Sequence, residues 1–406
     1  MFLTLSTGTT TVTTIVIIIY IYIIVFKLFT IKKEGGLYTM NILCNQKTLA
    51  QAITNAQKAI NNKTNIELLR GILLTAKNNS LIVTGYDNEI SIETTLEAQV
   101  NSEGSIVINS RLMGDIVRKL PDTFISIETD EEYNVFINCM NSRFKIKGIP
   151  ADEFPRQSEV SMDNMVRFNQ SEMKNMIKQT VFATASEPIN PTLAGELFEI
   201  NSEYVNMVAV DGYRLAVRKS KVDEEVENPI NAIIPGATLN HLNSLLLDDG
   251  DFFIGLDDKN IIFKLENTRI VARLIEGNFT KYENLLPKEH ITKIEVETRK
   301  LQNAIERAAL LFTSGKNNMI KISINDKLMV ITSNNENGNA YEELEIDFEG
   351  ESLEIAFNSR YFLEGIKNID SEKISIEFGG SVNPCVIKPI DGVEYIYLLL
   401  PVRLSN

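Results

Sequence analysis

The chain has 406 residues, 44% of them apolar and 23% charged. These values suit two or three globular domains and exclude a disordered chain. The net charge of −14 argues, as an average, against nucleic acid, because phosphate binding usually leaves a basic footprint.

The amino terminus stands apart from the rest. Residues 1–26 carry no charge, and Ile15–Phe26 is wholly apolar, followed by Lys27, Lys32 and Lys33. One reading is a membrane anchor with a basic flank. The other is a start-site extension without function (residues 1–39), with the domain opening at Met40 on a short strand and a helix. A signal peptide does not fit, since no positive charge precedes the apolar run.

From Met40 onward six helices are expected, at 47–63, 110–121, 171–186, 238–247, 298–314 and 358–370. Leu49, Ile53, Ala56 and Ile60 set the helical spacing of the first. Between the helices lie strands, read from alternation such as Ile90-Ser91-Ile92-Glu93. The segments 81–94, 205–219 and 328–344 each read as two strands joined by a polar turn. The last strand runs through Glu394–Leu404, almost to the end. An apolar tail of this kind either packs as a final core strand or receives a ligand, and both readings stay open.

These elements repeat. Ile108–Leu120 (INSRLMGDIVRKL) returns as Phe357–Ile369 (FNSRYFLEGIKNI), with the Asn-Ser-Arg triplets 249 residues apart. Half that distance leads to Ile234–Leu247, which has the same shape. Asp87, Asp211 and Asn334 keep a period of 124 and 123 residues. The expected organisation is therefore three α+β units of two helices and about eight strands each, at 40–164, 165–287 and 288–406.

The expected helices hold thirteen Lys and Arg against five Asp and Glu, a net of +8 that leaves −22 for the remainder. Glu favours helices as much as Lys does, so its scarcity there is informative. A surface lined by these helices would attract phosphate without reading sequence. A solvated helix face is the plainer alternative.

No catalytic constellation emerges. There is no Gly-rich phosphate loop, nucleophile elbow or HExxH. His241 and His290 have no partner nearby in sequence. Cys44, Cys139 and Cys385 lie outside metal-ligand spacing and fit buried thiols in a reducing cytoplasm. Val210–Val217 (VDGYRLAV) could suggest an active site at Asp211 and Arg214, but Asp-Gly between apolar strands is a turn signal. Neither an enzyme, a metal nor a cofactor is expected.

Three repeats, VDGYRLAV, Ser142–Pro155 (SRFKIKGIPADEFP), FNSRYFLEGI and the terminal LLLPVRL together resemble the bacterial beta sliding clamps, the beta subunits of the replicase. The resemblance runs from Met40 to about Leu404. It implies an α+β fold of three clamp domains, each with two helices and antiparallel sheets, in a head-to-tail homodimer. That homodimer is a six-domain ring around duplex DNA with helices lining the hole. It implies a processivity factor that tethers the replicative polymerase, the clamp loader and other proteins carrying a clamp-binding motif.

The resemblance further implies a peptide pocket walled by Leu193, Gly212, Tyr213, Arg214, Leu215, Leu285, Asn358, Tyr361, Val382, Pro384, Leu398, Leu400, Pro401, Val402, Arg403 and Leu404. In it, Arg214, Arg403 and Asn358 orient the peptide backbone. Lys63 falls at a family DNA contact. With it the basic helical residues Lys58, Arg111, Arg118, Lys119, Lys174, Lys178 and Arg307 are expected to face DNA. Phe144 and Ile146 on one side, and Leu310 and Leu311 on the other, are the expected apolar core of the ring interface. Thr280 and Asn284 depart from the family, as do Pro191 and Thr192 where aromatic DNA contacts stand. A membrane-anchored β-rich structural protein is the alternative that residues 1–39 alone suggest.

Overall fold

The computed structural model describes residues 39–61, 64–155, 165–186, 189–222, 226, 229–257, 259–312, 318–336 and 338–403. The extension, Lys63 and Leu404 lie outside the described residues. Six α-helices occur among those described: α1 Gln46–Gln57, α2 Ser110–Lys119, α3 Gln170–Thr180, α4 Gly236–Asn243, α5 Thr298–Ala309 and α6 Ser359–Ile366.

The recurring asparagines are helix caps. The Oδ1 of Asn45, Asn109, Asn169 and Asn358 accepts from the backbone N–H of Lys47, Leu112, Glu172, and Arg360 and Tyr361, respectively. These bonds satisfy donors that a helix start leaves open. The recurring aspartates are turn residues. Asp87 accepts from the N–H of Glu89 and Ile90, and Asp211 from those of Tyr213 and Arg214, with Gly212 at φ +90°.

The helices stop short of the expected ends. Pro121 disfavours helix at Leu120, so α2 ends at Lys119. In α3 the Thr180 hydroxyl donates to the Met176 carbonyl, and a 3-10 turn at Val181–Ala183 follows. Further C-terminal positions counted in the charge tally, such as Lys58 and Lys367, are caps or lie beyond the helix.

Each unit has its own core under its helix pair: Leu49, Ile53 and Val117 in the first, Met176, Ile177 and Leu239 in the second, Leu301, Ile305 and Phe362 in the third. The units are joined by sheet. Strand Thr268–Arg273 of the second pairs antiparallel with Ile90–Ser102 of the first, Val271 opposite Ser91. Strand Tyr395–Leu399 of the third pairs with Arg214–Lys221 of the second, Leu398 opposite Leu215. A thirteen-stranded sheet thus spans the first seam and a nine-stranded one the second.

The helices also form an unbroken row. α2 packs on α1, α4 on α3 and α6 on α5. Across the first seam Lys58 Nζ, at the end of α1, donates to the Ser244 hydroxyl (2.5 Å) and carbonyl (3.2 Å) at the end of α4. Across the second, Gln179 Nε2 of α3 donates to the Asn368 carbonyl just past α6 (3.0 Å).

Candidate functional site

The second seam carries two different faces, as strand alternation requires. Ala209, Ala216, Tyr397 and Leu399 turn toward the helices and join the core of the third unit. Val208, Val210, Leu215, Val217, Val386 and Leu398 turn outward and form a separate apolar cluster, on which Leu193, Phe279, Tyr282, Leu286 and Ile396 pack. This outer floor includes three of the expected pocket residues, Leu193, Leu215 and Leu398. The sequence reading missed the flanking valines, although the apolar run Met207–Val210 signals a strand buried on both faces.

The end of the seam is built on α6 and the chain end. The Leu400 N–H donates to the Tyr213 carbonyl (2.9 Å) and the Val402 N–H to the Ala356 carbonyl (2.8 Å). The tail is therefore strapped across both units, while the side chains of Leu400 and Val402 remain 39% exposed. Tyr213 and Tyr361 stack loosely, ring centres 6.0 Å apart. The Tyr361 carbonyl accepts from the Tyr397 hydroxyl (2.7 Å). The ring of Tyr397 lies where a Cβ on Gly365 would sit, so only glycine lets α6 approach this strand. Gly212, Tyr213, Leu285, Val382, Leu400, Val402 and Arg403 are exposed, and Pro384 and Pro401 half-buried. Leu285 and Pro384 line a cavity of about 440 Å³.

Two expected roles are corrected. The Arg214 guanidinium is turned away from the outer face. Alternation turns it to the helix side, where it is 7% exposed. Its Nε donates to Asp211 (2.9 Å), Nη1 to Glu364 and Nη2 to the Phe182 carbonyl (2.6 Å). The rings of Tyr361 and Phe182 lie against its guanidinium, at 4.4 and 5.3 Å. Arg214 braces the seam from behind. Burial pushes the Glu364 carboxyl up, but hydrogen bonds from Arg360 and Arg214 outweigh it and hold it below its ordinary value. Asn358, likewise, has its side-chain oxygen engaged as the α6 cap.

At the first seam the outer face is different. Ser91 and Glu93 stand where Leu215 and Val217 stand, 124 residues earlier, and Arg269 and Val271 where Ile396 and Leu398 stand. Glu93 and Arg269 pair at 3.7 Å. The apolar cluster shrinks there to Ile262 and Val271 with Met165. Among the described residues, the larger apolar outer face is therefore the one at the second seam.

On the helical side the basic residues differ in freedom. Lys119 and Lys178 are exposed and form no ion pair among the described residues. Arg111 lies 4.0 Å from Asp115, Arg118 pairs with Asp115 (2.8 Å), Lys174 with Asp248 (2.6 Å) and Arg307 with Glu342. Exposed pairs of this kind are weak, so phosphate can displace them. Lys58 is the further correction: it holds the helix row together at the first seam, and burial lowers its pKa. Arg70, which a tally confined to helices passed over, joins Arg111 and Arg118 around a groove of about 590 Å³.

Family comparisons match this architecture unit by unit. The N-terminal, central and C-terminal domains of the DNA polymerase III beta subunit match residues 40–158, 167–281 and 283–403. A beta sliding clamp of Staphylococcus epidermidis is 35% identical over 386 residues, 92% of this chain and 99% of the relative. That of Staphylococcus aureus is 34% identical over 362 residues, 86% and 96% of the two chains. The DNA polymerase sliding clamp of Bacillus subtilis superposes with a TM-score of 0.87 at 31% identity, covering 90% of this chain and all of that one. The beta subunit of Thermotoga maritima does so at 0.84 and 25%, with the same coverage. With three consecutive domains matched and curated relatives aligned over nearly their whole length, the chain belongs to the DNA polymerase III beta subunit family, the beta sliding clamps.

Proposed function

We propose that two copies of this chain close into a ring of six units around duplex DNA and tether the replicative polymerase, the clamp loader and other partners through the cleft at the second seam. The observation that carries this reading is the repetition of the seam. In the first two units the second strand of the Asp-turn hairpin, Ile90–Ser102 or Arg214–Lys221, receives a strand from the next unit. The equivalent strand of the third unit, Gly338–Glu345, is the edge of its sheet. The strand equivalent to Thr268–Arg273 and Tyr395–Leu399 in the first unit is Ser142–Lys147, also an edge. Pairing these two edges between copies repeats the seam and closes the ring head to tail.

Charge and apolar surface support the pairing. Ser142–Lys147 carries Arg143, Lys145 and Lys147, and Gly338–Glu345 carries Glu342, Glu343 and Glu345. Phe144 is 39% exposed and Leu310 74% exposed, with Ile146 and Leu311 half-buried beside them. The Arg307–Glu342 pair sets the end of α5 against the acidic edge. Reversing Arg143 and Lys145 to glutamate is expected to weaken the dimer at least about tenfold, and adding Glu343→Lys and Glu345→Lys restores it. Sedimentation equilibrium of both variants reads this. A dimer indifferent to the first pair of changes counts against the edge pairing.

The helix row then faces the hole. Its contacts reach the phosphate backbone, so binding is independent of sequence. The family setting supports a cytoplasmic, non-enzymatic processivity factor and domain limits near 40–164, 165–287 and 288–406. Among the described residues no helix is long and apolar enough to cross a membrane.

The cleft is tested by removing Pro401–Leu404. The outer floor and the Leu400 strap stay, but the wall ending in Val402 is lost. Affinity for a short apolar clamp-binding peptide is expected to fall at least about tenfold, with the dimer unchanged. Unaltered peptide affinity refutes the assignment.

A further inference from the structure

The cavity of about 440 Å³ beside the cleft is not explained by apolar anchors alone. Its lining divides in two. Leu285, Leu286 and Ile291 belong to an apolar part; Glu289 belongs to a polar one, with His290, Asn284 and Asn383. Both walls are pre-set by the fold. The Ile291 N–H donates to the Phe378 carbonyl (2.9 Å), which ties the connecting segment to the sheet. Asn383 Nδ2 donates to the Gly379 carbonyl (2.7 Å), which stiffens the opposite turn. The Glu289 carboxylate is exposed and has no cation within ion-pair distance among the described residues. Leu285 belongs to the cavity and to the cleft rim, and so does Pro384, so a chain leaving the cleft passes over this pocket.

We propose that this pocket receives a lysine or arginine flanking the apolar anchors of a bound partner peptide, its stem along Leu285, Leu286 and Ile291 and its cationic head at Glu289. Long basic side chains combine an apolar stem with a charged tip, which is the division that the lining shows. The net charge of −14 favours approach of a basic segment. The proposal rests on the cleft reading above.

The test uses the full chain and three synthetic peptides: the apolar core alone, the core with one flanking arginine, and the core with glutamate at the same place. Each flank is tried in turn, and affinity is read by fluorescence anisotropy. At one flank the arginine peptide binds the native chain about three- to fivefold more tightly than the glutamate peptide, as a partly solvated charge pair allows. Glu289→Lys removes or reverses that preference and leaves the core peptide's affinity unchanged. Equal binding of the arginine and glutamate peptides at both flanks overturns the pocket, as does a preference that survives Glu289→Lys. Failure of the core peptide to bind the native chain overturns the cleft itself, and the pocket with it.

Discussion

Arg214→Ala is expected to destabilise the chain by about 3 kcal/mol, because breaking a buried ion pair leaves charge without its partner. Three donor nitrogens of this guanidinium are engaged, by Asp211, Glu364 and the Phe182 carbonyl. Asp211 and Phe182 belong to the same unit as Arg214 and hold the guanidinium in place, while Glu364 of α6, with the Tyr361 ring against it, carries the contact across the seam. The loss is partial for each anion. Glu364 keeps Arg360 (2.8 Å), and Asp211 keeps two backbone donors. For that reason the expected cost lies at the lower end of the range for broken buried pairs. Arg214→Lys recovers little, since an ammonium cannot reproduce a planar fork between two rings. Urea unfolding reads the effect. An alanine variant within about 1 kcal/mol of the native chain would mean that the seam does not depend on this brace.

The second large effect lies in the core of the second unit. Glu196 is fully buried, with Oε2 in hydrogen-bond contact with the Thr180 hydroxyl (2.7 Å) and Oε1 lacking a hydrogen-bond partner. By strand pairing its position is that of Ile72 in the first unit and Ile320 in the third, and Thr180 occupies the place of Ala56 and Ala308. Burial raises the Glu196 pKa from 4.5 to about 8. The unfolded chain releases this proton near its ordinary pKa, while the folded chain keeps it. Between the two values the folded state binds more protons, so the contribution of Glu196 to stability is fully present below about pH 4.5 and is lost as pH rises toward about 8, by roughly 1.4 kcal/mol per unit.

Glu196→Gln is expected to flatten this slope. Glu196→Ile with Thr180→Ala, which copies the other two units, is expected to stabilise the fold by about 2–4 kcal/mol near neutral pH. His241, whose pKa burial lowers, contributes the opposite slope below about pH 6.5. Comparing native and Glu196→Gln chains cancels it. Equal pH slopes in the two chains would show that Glu196 does not titrate in this window.

What could be read from the sequence was local. Asn-Ser-Arg and Asp-Gly recur because a helix cap and a hairpin turn each depend on a few adjacent residues, and those motifs revealed the threefold plan. Helix ends were overextended where Thr180-Val181 and Leu120-Pro121 end the helical backbone against an apolar pattern that continues. The seams were not legible, because pairing of Ile90–Ser102 with Thr268–Arg273 joins residues far apart in sequence. The role of Arg214 was hidden for a related reason. Whether it faces a peptide or the α6 side depends on which face of its strand the neighbouring unit covers. Glu196 sits in an apolar strand, and composition alone does not reveal that its carboxyl has no solvent. Lys58 read as one more helical cation, although its partner Ser244 lies in another unit.

Retention on DNA of defined topology tests the central claim most directly. The chain is loaded onto a nicked circular plasmid by its loader and ATP, passed through a sizing column in high salt, and followed before and after the circle is cut once. A closed ring stays with the circle despite the salt, because it is linked and not tightly bound, and is lost when cutting supplies an end. Salt-sensitive loss from intact circles, or full retention after cutting, would contradict encirclement.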